Sequence, residues 1–488
     1  MNRWGVLVGV LLQVVVGFSQ QQSTNSVETA LKTFVAQKDL SGAAISFHAI
    51  DLASGATIAT HNSEMAIIPA STVKLFTTAT AFQRLGPYFR PETKLYYTGT
   101  ISEEGVLTGN IIIKGGGDPT LGSKYFTKDG EERDFFHDWV KSIRELGITK
   151  VDGYVLADAS ALGYDGAPAG WTWSDMGNYY GAWPSGLTLF DNMIKLYFST
   201  SDTAGDSSSL DCIEPYIPGL YLENRVQSAS VKGDNAYVFG APYSKDWFVE
   251  GRLPLKQEDF MVKAANPDPE ELFALEFTSA LKNSGIDVKY HYQTMRKNQS
   301  FRDLYYDSAE LIMEYKGKDV TNIAYWVNQR SVNLFAEHLV CLIGLQRFGQ
   351  GNTSNGVQAM VDYWANKIDV STIRLTDGSG LSRSNAVSAK HFTSLLKYMN
   401  KEGAAQFEKS LPIAGKSGTL ASVCRGQSGQ GRIFAKSGTM SRVKSYAGYV
   451  NTKSGKKLAF AIIVNNHTNS SYSLTRKMEA IFNAMANF

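Results

Sequence analysis

Both ends of the chain carry apolar runs at helix and strand spacing, while the stretch between them changes texture. Val27 to Ala36 has helical periodicity. Gly42–Ile50 and Ala56–Thr60 flank the turn-rich Asp51-Leu52-Ala53-Ser54-Gly55, which predicts strand, turn, strand. Thr72 to Leu85 is again helical and is closed by Gly86-Pro87. From about Leu95 the chain breaks into short alternating runs with glycine turns: Leu95–Thr98, Val106–Ile113, Gly153–Ala157 and Ala236–Phe239, with one helix near Asp134–Leu146. Helical patterns return at Pro269–Asn283, Val320–Arg330, Leu334–Leu345, Val357–Ile368 and Ala389–Asn400. Arg432–Ala435, Ser445–Asn451 and Lys457–Asn465 then read as strands, followed by a final helix, Ser473–Phe488. This order predicts one α+β domain built from the two chain ends and split by a β-rich insertion at 98–265.

Composition narrows the function classes. A chain of 488 residues with 43% hydrophobic and 19% charged residues has the balance of a globular protein of about two to four domains. Lys and Arg total 48 against 46 Asp and Glu, so the net charge of +2 offers no footprint for nucleic acid and no polybasic membrane patch. Residues 1–19 read as a secretory signal peptide: Arg3 precedes an apolar stretch too short to span a bilayer, with Gly17 and Ser19 at its end. The competing reading is an uncleaved anchor. The expectation is an exported protein of the periplasm or cell envelope, with at most peripheral membrane association. Three cysteines, Cys212, Cys341 and Cys424, are too few and too odd for a disulfide framework, and no Cys/His cluster points to a metal. A single Cys212–Cys424 bridge stays open. Trp171, Trp173, Tyr179, Tyr180 and Trp183 read as a satellite core rather than a sugar-stacking surface.

Among nucleophile motifs, no GxSxG or HExxH occurs, and Gly415-Lys416-Ser417 lacks the earlier glycine of a phosphate loop. Ser71-Thr72-Val73-Lys74 is an SxxK at the start of a helix, with Lys74 one turn along on the same face. A serine hydroxyl needs a base within hydrogen-bond reach, and lysine serves when burial and neighbouring positive charge destabilise its ammonium. The same spacing recurs at Ser279, Ser394, Ser441 and Ser454, but none of these opens a helix. Ser331-Val332-Asn333 lies in a loop between two helical runs. Lys436-Ser437-Gly438-Thr439 ends a strand-like run ahead of the last hairpin, with Gly438 allowing a ligand to lie against the strand. Lys416-Ser417-Gly418-Thr419 repeats that tetrapeptide twenty positions earlier, without a following hairpin. Context favours Lys436.

SxxK, SxN and KSG in this order resemble the active-site triplet of penicillin-binding proteins and serine β-lactamases. The wide gap between Ser71 and Ser331 resembles more closely the exported D-alanyl-D-alanine carboxypeptidase/endopeptidase family, the class C low-molecular-mass penicillin-binding proteins. Gly115-Gly116-Gly117-Asp118-Pro119, Gly170-Trp171-Thr172-Trp173-Ser174-Asp175 and Asp377-Gly378-Ser379-Gly380-Leu381-Ser382-Arg383 are similar to family sequence. Ser437 stands where threonine is usual, and Lys416 where lysine is not.

The resemblance implies a β-lactamase/transpeptidase-like fold, an antiparallel sheet flanked by helices, in residues 20–97 and 266–488. The β-rich insert is then one region or two nested small domains. The resemblance also implies a peptidoglycan stem peptide ending in D-Ala-D-Ala as substrate, hydrolysed through an acyl-enzyme, with β-lactams as inhibitors and no cofactor. Endopeptidase action on cross-links would be a second activity. It implies Ser71 as nucleophile, Lys74 as base and Ser331 as proton relay. Asn333, Lys436, Ser437 and Thr439 would hold the substrate, and Asp158 and Arg383 would read the free end of its diamino acid. A β-lactamase would need a dedicated deacylating carboxylate, for which no motif is present. A non-catalytic peptidoglycan-binding protein would not need the nucleophile.

Overall fold

A computed structural model describes residues 26–298 and 306–488; the expected signal, residues 1–19, lies outside the described residues. Its centre is a five-stranded antiparallel sheet in the order Ile433–Met440, Val443–Asn451, Lys457–Asn465, Ala44–Asp51, Thr57–His61. The C-terminal strands therefore sit beside the N-terminal hairpin, which closes one domain across the whole length of the chain. Val443–Asn451 and Lys457–Asn465 are buried almost throughout, because both faces of the sheet are covered. On one face Leu474, Met478, Ile481 and Phe482 of the Ser471–Asn487 helix pack with Val27, Leu31 and Phe34 from the helical segment 26–35. On the other lie the helices Lys74–Arg84, Val320–Gln329, Asn333–Phe348, Thr353–Ala365 and Ala389–Lys401. Burial of each large apolar side chain in such a layer contributes about 1.5–3 kcal/mol before chain entropy is opposed to it. Among the described residues no helix is long and apolar enough to cross a membrane.

The insertion is larger than its β-rich texture predicts. Its own five-stranded sheet runs Tyr292–Thr294, Val155–Asp158, Ile111–Gly115, Glu92–Tyr97, Glu310–Lys316. The first strand in sequence thus begins before residue 98, and the last lies well beyond residue 265. The Pro269–Asn283 helix, expected in the catalytic domain, buries Phe273, Phe277 and Leu281 in one core with Trp139 and Ile143 of the insert. The structure accordingly moves the return to the catalytic domain from 266 to just after Lys316. Helical periodicity reports that one face of a helix is buried, and says nothing of which core receives it. The insert also carries a four-stranded sheet, Asp287–Val288, Lys150–Val151, Val106–Thr108, Thr100–Ile101, and two three-stranded sheets, Ser209–Glu214 with Met193–Ser199 and Phe260–Ala265, and Tyr221–Ala229 with Asp246–Pro254 and Asn235–Phe239.

Other expectations also change. Val106–Ile113 is two strands, Val106–Thr108 and Ile111–Gly115, because the chain bends at Gly109, where a Cβ would fall 1.8 Å from the Thr98 carbonyl oxygen. The Lys436-Ser437-Gly438-Thr439 tetrapeptide does not end a strand; it lies within one, Ile433–Met440. All three cysteines are free, with Cys212 exposed and Cys424 buried, so the two are not bridged. The aromatic patch divides: Trp171 and Trp183 are buried, whereas Trp173 and Tyr179 are about half exposed (49% and 52%).

Candidate active site

Ser71 sits in a 3-10 turn, Ala70–Val73, that runs directly into the Lys74–Arg84 helix. The turn is held from several sides. Ser445 Oγ and Thr72 Oγ1 both donate to the Pro69 carbonyl, at 2.6 and 2.7 Å. Ala70 has φ +49, a left-handed conformation that a non-glycine residue adopts at a cost, as the residues around functional groups often do. Gly380 packs so closely that a Cβ there would lie 2.1 Å from the Ala70 carbonyl oxygen. Gly438 does the same from the strand, where a Cβ would lie 2.7 Å from Pro69 O and 3.0 Å from Ser71 N. Glycine is required at both positions because backbone meets backbone.

Lys74 is wholly buried, and its Nζ lies 3.1 Å from Ser71 Oγ. It also donates to Asn333 Oδ1 at 2.7 Å and to the Ser379 carbonyl at 2.6 Å. Burial lowers its pKa to about 7, against the opposing pull of Asp377 and Glu337. A neutral amine has two N–H groups and one lone pair. With both N–H groups taken by Asn333 and Ser379, the lone pair is left for the hydroxyl of Ser71.

A second pair stands beside the first. Lys436 Nζ donates to Ser331 Oγ at 3.0 Å and to the Ser437 carbonyl at 2.7 Å. Burial, with the charges of Lys74 and Lys444, holds Lys436 well below the usual lysine range. Ser331 has φ +59 in the tight turn between the Val320–Gln329 and Asn333–Phe348 helices, which turns its side chain out of both. Asn333 Nδ2 donates to the Tyr180 carbonyl at 2.8 Å, so the insert fixes the amide that faces Lys74. Ser437 Oγ donates to Thr419 Oγ1 at 2.8 Å, and Thr439 Oγ1 accepts from Lys444 Nζ at 2.7 Å.

Ser71, Ser331, Asn333, Thr439 and Arg383 line one cavity of about 550 Å³, with Tyr179, Tyr180 and Tyr237 of the insert on its other wall. Lys74 and Lys436 lie buried behind it. The structure does not bring Asp158 to this cavity. Its carboxylate is taken by the Tyr306 hydroxyl and by the Ser160 amide, so it serves the local fold of the insert. Lys416 is exposed and outside the cavity. Sequence reasoning missed Lys444, a buried ammonium behind Thr439, with a pKa lowered to about 8 by burial. It also missed Glu337, although one acid in the apolar run Leu334–Leu345 was a visible signal.

Residues 27–487 match the family model described as the D-Ala-D-Ala carboxypeptidase 3 (S13) family. The chain belongs to this family. It is 28% identical over 444 residues to a D-alanyl-D-alanine carboxypeptidase of Actinomadura sp., covering 88% of this chain and 79% of the relative. It is 24% identical over 471 residues to the D-alanyl-D-alanine carboxypeptidase DacB of Haemophilus influenzae, covering 91% of each. The crystal structure of penicillin-binding protein 4 (dacB) from Haemophilus influenzae superposes with a TM-score of 0.79 at 22% identity, over 94% of this chain and 99% of that one. The β-lactam complex of that protein superposes with a TM-score of 0.71 at 21% identity, over 93% and 97%. The α+β architecture is therefore that of penicillin-binding protein 4. This protein is a serine-type D-Ala-D-Ala carboxypeptidase, a hydrolase of the S13 family.

Proposed function

We propose that the carboxypeptidase reaction runs through an acyl-enzyme on Ser71. The observation that carries this reading is the 3.1 Å approach of a buried, weakly basic Lys74 to Ser71 Oγ. Lys74 takes the hydroxyl proton as Ser71 Oγ attacks the carbonyl carbon between two terminal D-alanines. The backbone N–H groups of Ser71 and Thr439 face the developing oxyanion; the close pass of Gly438 over Ser71 N supports that pairing. The proton reaches the departing amine through Ser331 and Lys436, the C–N bond breaks, and D-alanine leaves. Water then attacks the Ser71 ester, and Lys74 again accepts a proton. Lys436, Ser437 and Thr439 hold the terminal carboxylate, and Lys444 adds charge behind Thr439. Arg383, on the rim of the cavity, meets the far end of the stem peptide.

The same serine opens the strained amide of a β-lactam. Endopeptidase action on cross-links belongs to this reading as a second activity of the same acyl-enzyme. A peptidoglycan substrate places the enzyme outside the cytoplasm, in the periplasm or cell envelope, in line with residues 1–19 acting as a signal. The test is labelling of purified protein with a fluorescent penicillin, wild type beside Ser71→Ala, with D-alanine release measured in parallel. Wild type alone is expected to label and to release D-alanine. Equal labelling of both proteins would remove Ser71 from its role.

A further inference from the structure

One buried carboxylate has no part in the reaction just described, yet it lies one bond network away from the base. Glu337 stands one helical turn after Asn333 in the Asn333–Phe348 helix, so both side chains share a face. It is fully buried, and its oxygens meet no cation among the described ion pairs. Instead they accept from the Gly378 amide, at 3.1 Å to each oxygen, and from the Ser379 amide at 2.7 Å. The carbonyl of that same Ser379 accepts from Lys74 Nζ at 2.6 Å.

The turn is seated too closely to move without these bonds. A Cβ at Gly378 would lie 2.2 Å from a Val340 methyl and 3.0 Å from the Ala336 carbonyl, so the turn rests directly on the helix that bears Glu337. Asp377 grips the turn from its other side, accepting from the Gly380 and Ser382 amides, Asn385 Nδ2 and Trp171 Nε1 at 2.6 to 2.9 Å. Thr77 Oγ1, one turn beyond Lys74, donates to the Gly378 carbonyl at 2.7 Å. Two donors of a neutral Lys74 must be pointed away from Ser71 if the lone pair is to face it, and Ser379 receives one of them.

We propose that Glu337 is a positioning residue for the base: by holding the Gly378 and Ser379 amides it aims the Ser379 carbonyl at Lys74, and so leaves the lone pair of a neutral Lys74 to Ser71. This rests on the reading of Lys74 as the base for Ser71. The titratable groups facing Lys74 are Glu337 from its helix, Asp377 from the turn and Lys436 from the strand. Those facing Glu337 are Asp377 and, one turn along its own helix, the thiol of Cys341. Burial pushes the Glu337 carboxyl up to about 8, so it acts on Lys74 through the turn rather than by charge. A carbonyl that accepts from the lysine favours its ammonium form, so loosening the Ser379 carbonyl makes Lys74 neutral at lower pH.

The experiment measures the rate of acylation by a fluorescent penicillin from pH 5 to 9 for wild type, Glu337→Gln and Glu337→Asp, with thermal unfolding as a check on folding. For Glu337→Gln we expect a slower reaction whose acidic limb moves down by about one pH unit, since the turn loosens and Lys74 loses the carbonyl that favours its ammonium. For Glu337→Asp we expect a change in the same direction, since the shorter side chain loses its reach to the two amides. A slower Gln variant with an unmoved limb would overturn the proposal, leaving Glu337 a structural residue. Should the Gln variant fail to fold, the Asp variant decides alone: an unmoved limb, or a rate equal to wild type, overturns the proposal. Absence of any acidic limb in the wild type would instead sink the reading of Lys74 as base.

Discussion

The tetrapeptide Lys-Ser-Gly-Thr occurs twice, at Lys416–Thr419 and Lys436–Thr439, and the two copies have almost nothing in common beyond sequence. Lys436 is fully buried in a strand and hydrogen-bonded to Ser331, whereas Lys416 is exposed in a loop. Ser437 is nearly buried beside the cavity, whereas Ser417 Oγ is occupied in accepting from the Ile413 amide at 3.1 Å. Gly438 lets a strand lie against the Ser71 turn, whereas Gly418 adopts φ +57 against the end of the Val320–Gln329 helix. The Lys436 copy is set apart by what surrounds it: a second lysine, a strained serine and a backbone a few ångströms away. Four residues specify a ligand set only when the fold removes them from water.

The largest contrast should come from the lysines. Lys436→Ala removes the side chain that bonds Ser331 and that the proposed reaction sets against the substrate carboxylate, and should slow penicillin acylation by about a thousandfold. Lys416→Ala should stay within about twofold of wild type, because an exposed side chain outside the cavity has no reacting partner. Loss of acylation in Lys416→Ala with retention in Lys436→Ala would reverse the assignment of the two copies.

The pH profile sharpens the same contrast. With its pKa at about 7, Lys74 is protonated in acid and cannot accept the Ser71 proton. Acylation should therefore fall below pH 7 by about tenfold per unit and level off above it. Lys416→Ala should share this limb with wild type, since Lys416 is remote from Lys74. A rate independent of pH between 5 and 8 would contradict a neutral lysine as the base.

These effects bear on what could be read without coordinates. Ser71 and Lys74 were legible because their relation is local: four residues at a helix start fix their mutual geometry. Ser331, Asn333 and Lys436 were legible only by resemblance, and the structure joins them to Lys74 across chain separations that no spacing rule spans. The terminal strands and most helices followed from periodicity, because each is amphipathic or wholly buried. Asp158 was misplaced because a family position names a residue and not its neighbours, and here Tyr306 claims the carboxylate. Glu337 went unread for the opposite reason: it is one acid in Leu334–Leu345, a run whose dominant pattern is burial, while Lys444 falls just before the expected strand Ser445–Asn451. The insert boundary failed at the Pro269–Asn283 helix, whose apolar face matches either core equally well in sequence.

The glycines should give a smaller contrast. Gly438→Ala places a methyl 2.2 Å from Ser445 Oγ and 2.7 Å from the Pro69 carbonyl, which forces the strand away from Ser71. Acylation should fall by about a hundredfold, the scale on which one misplaced oxyanion donor is felt. Gly418→Ala meets a left-handed φ, the Gln329 side-chain oxygen at 2.6 Å and the Gln329 carbonyl at 2.7 Å, so its cost should appear as about 1–3 kcal/mol of stability with turnover little changed. Thermal unfolding and acylation rates together separate the two; a Gly418 variant that unfolds like wild type but acylates a hundredfold slower would place the loop in the active site.

The smallest effect tests a hydrogen bond that joins the two copies. Ser437 Oγ donates to Thr419 Oγ1 at 2.8 Å, so the last residue of the loop copy braces a hydroxyl of the strand copy. Thr419 is exposed, and water can replace its oxygen once the hydroxyl is gone. Thr419→Val should therefore raise the KM for a peptide ending in D-Ala-D-Ala by no more than about threefold, the value of one solvent-accessible hydrogen bond, and leave kcat unchanged. A tenfold fall in kcat would mean that the loop holds Ser437 in a position needed only as the bond breaks. The division into one working copy and one idle copy would then fail, because the loop copy would act through the strand copy.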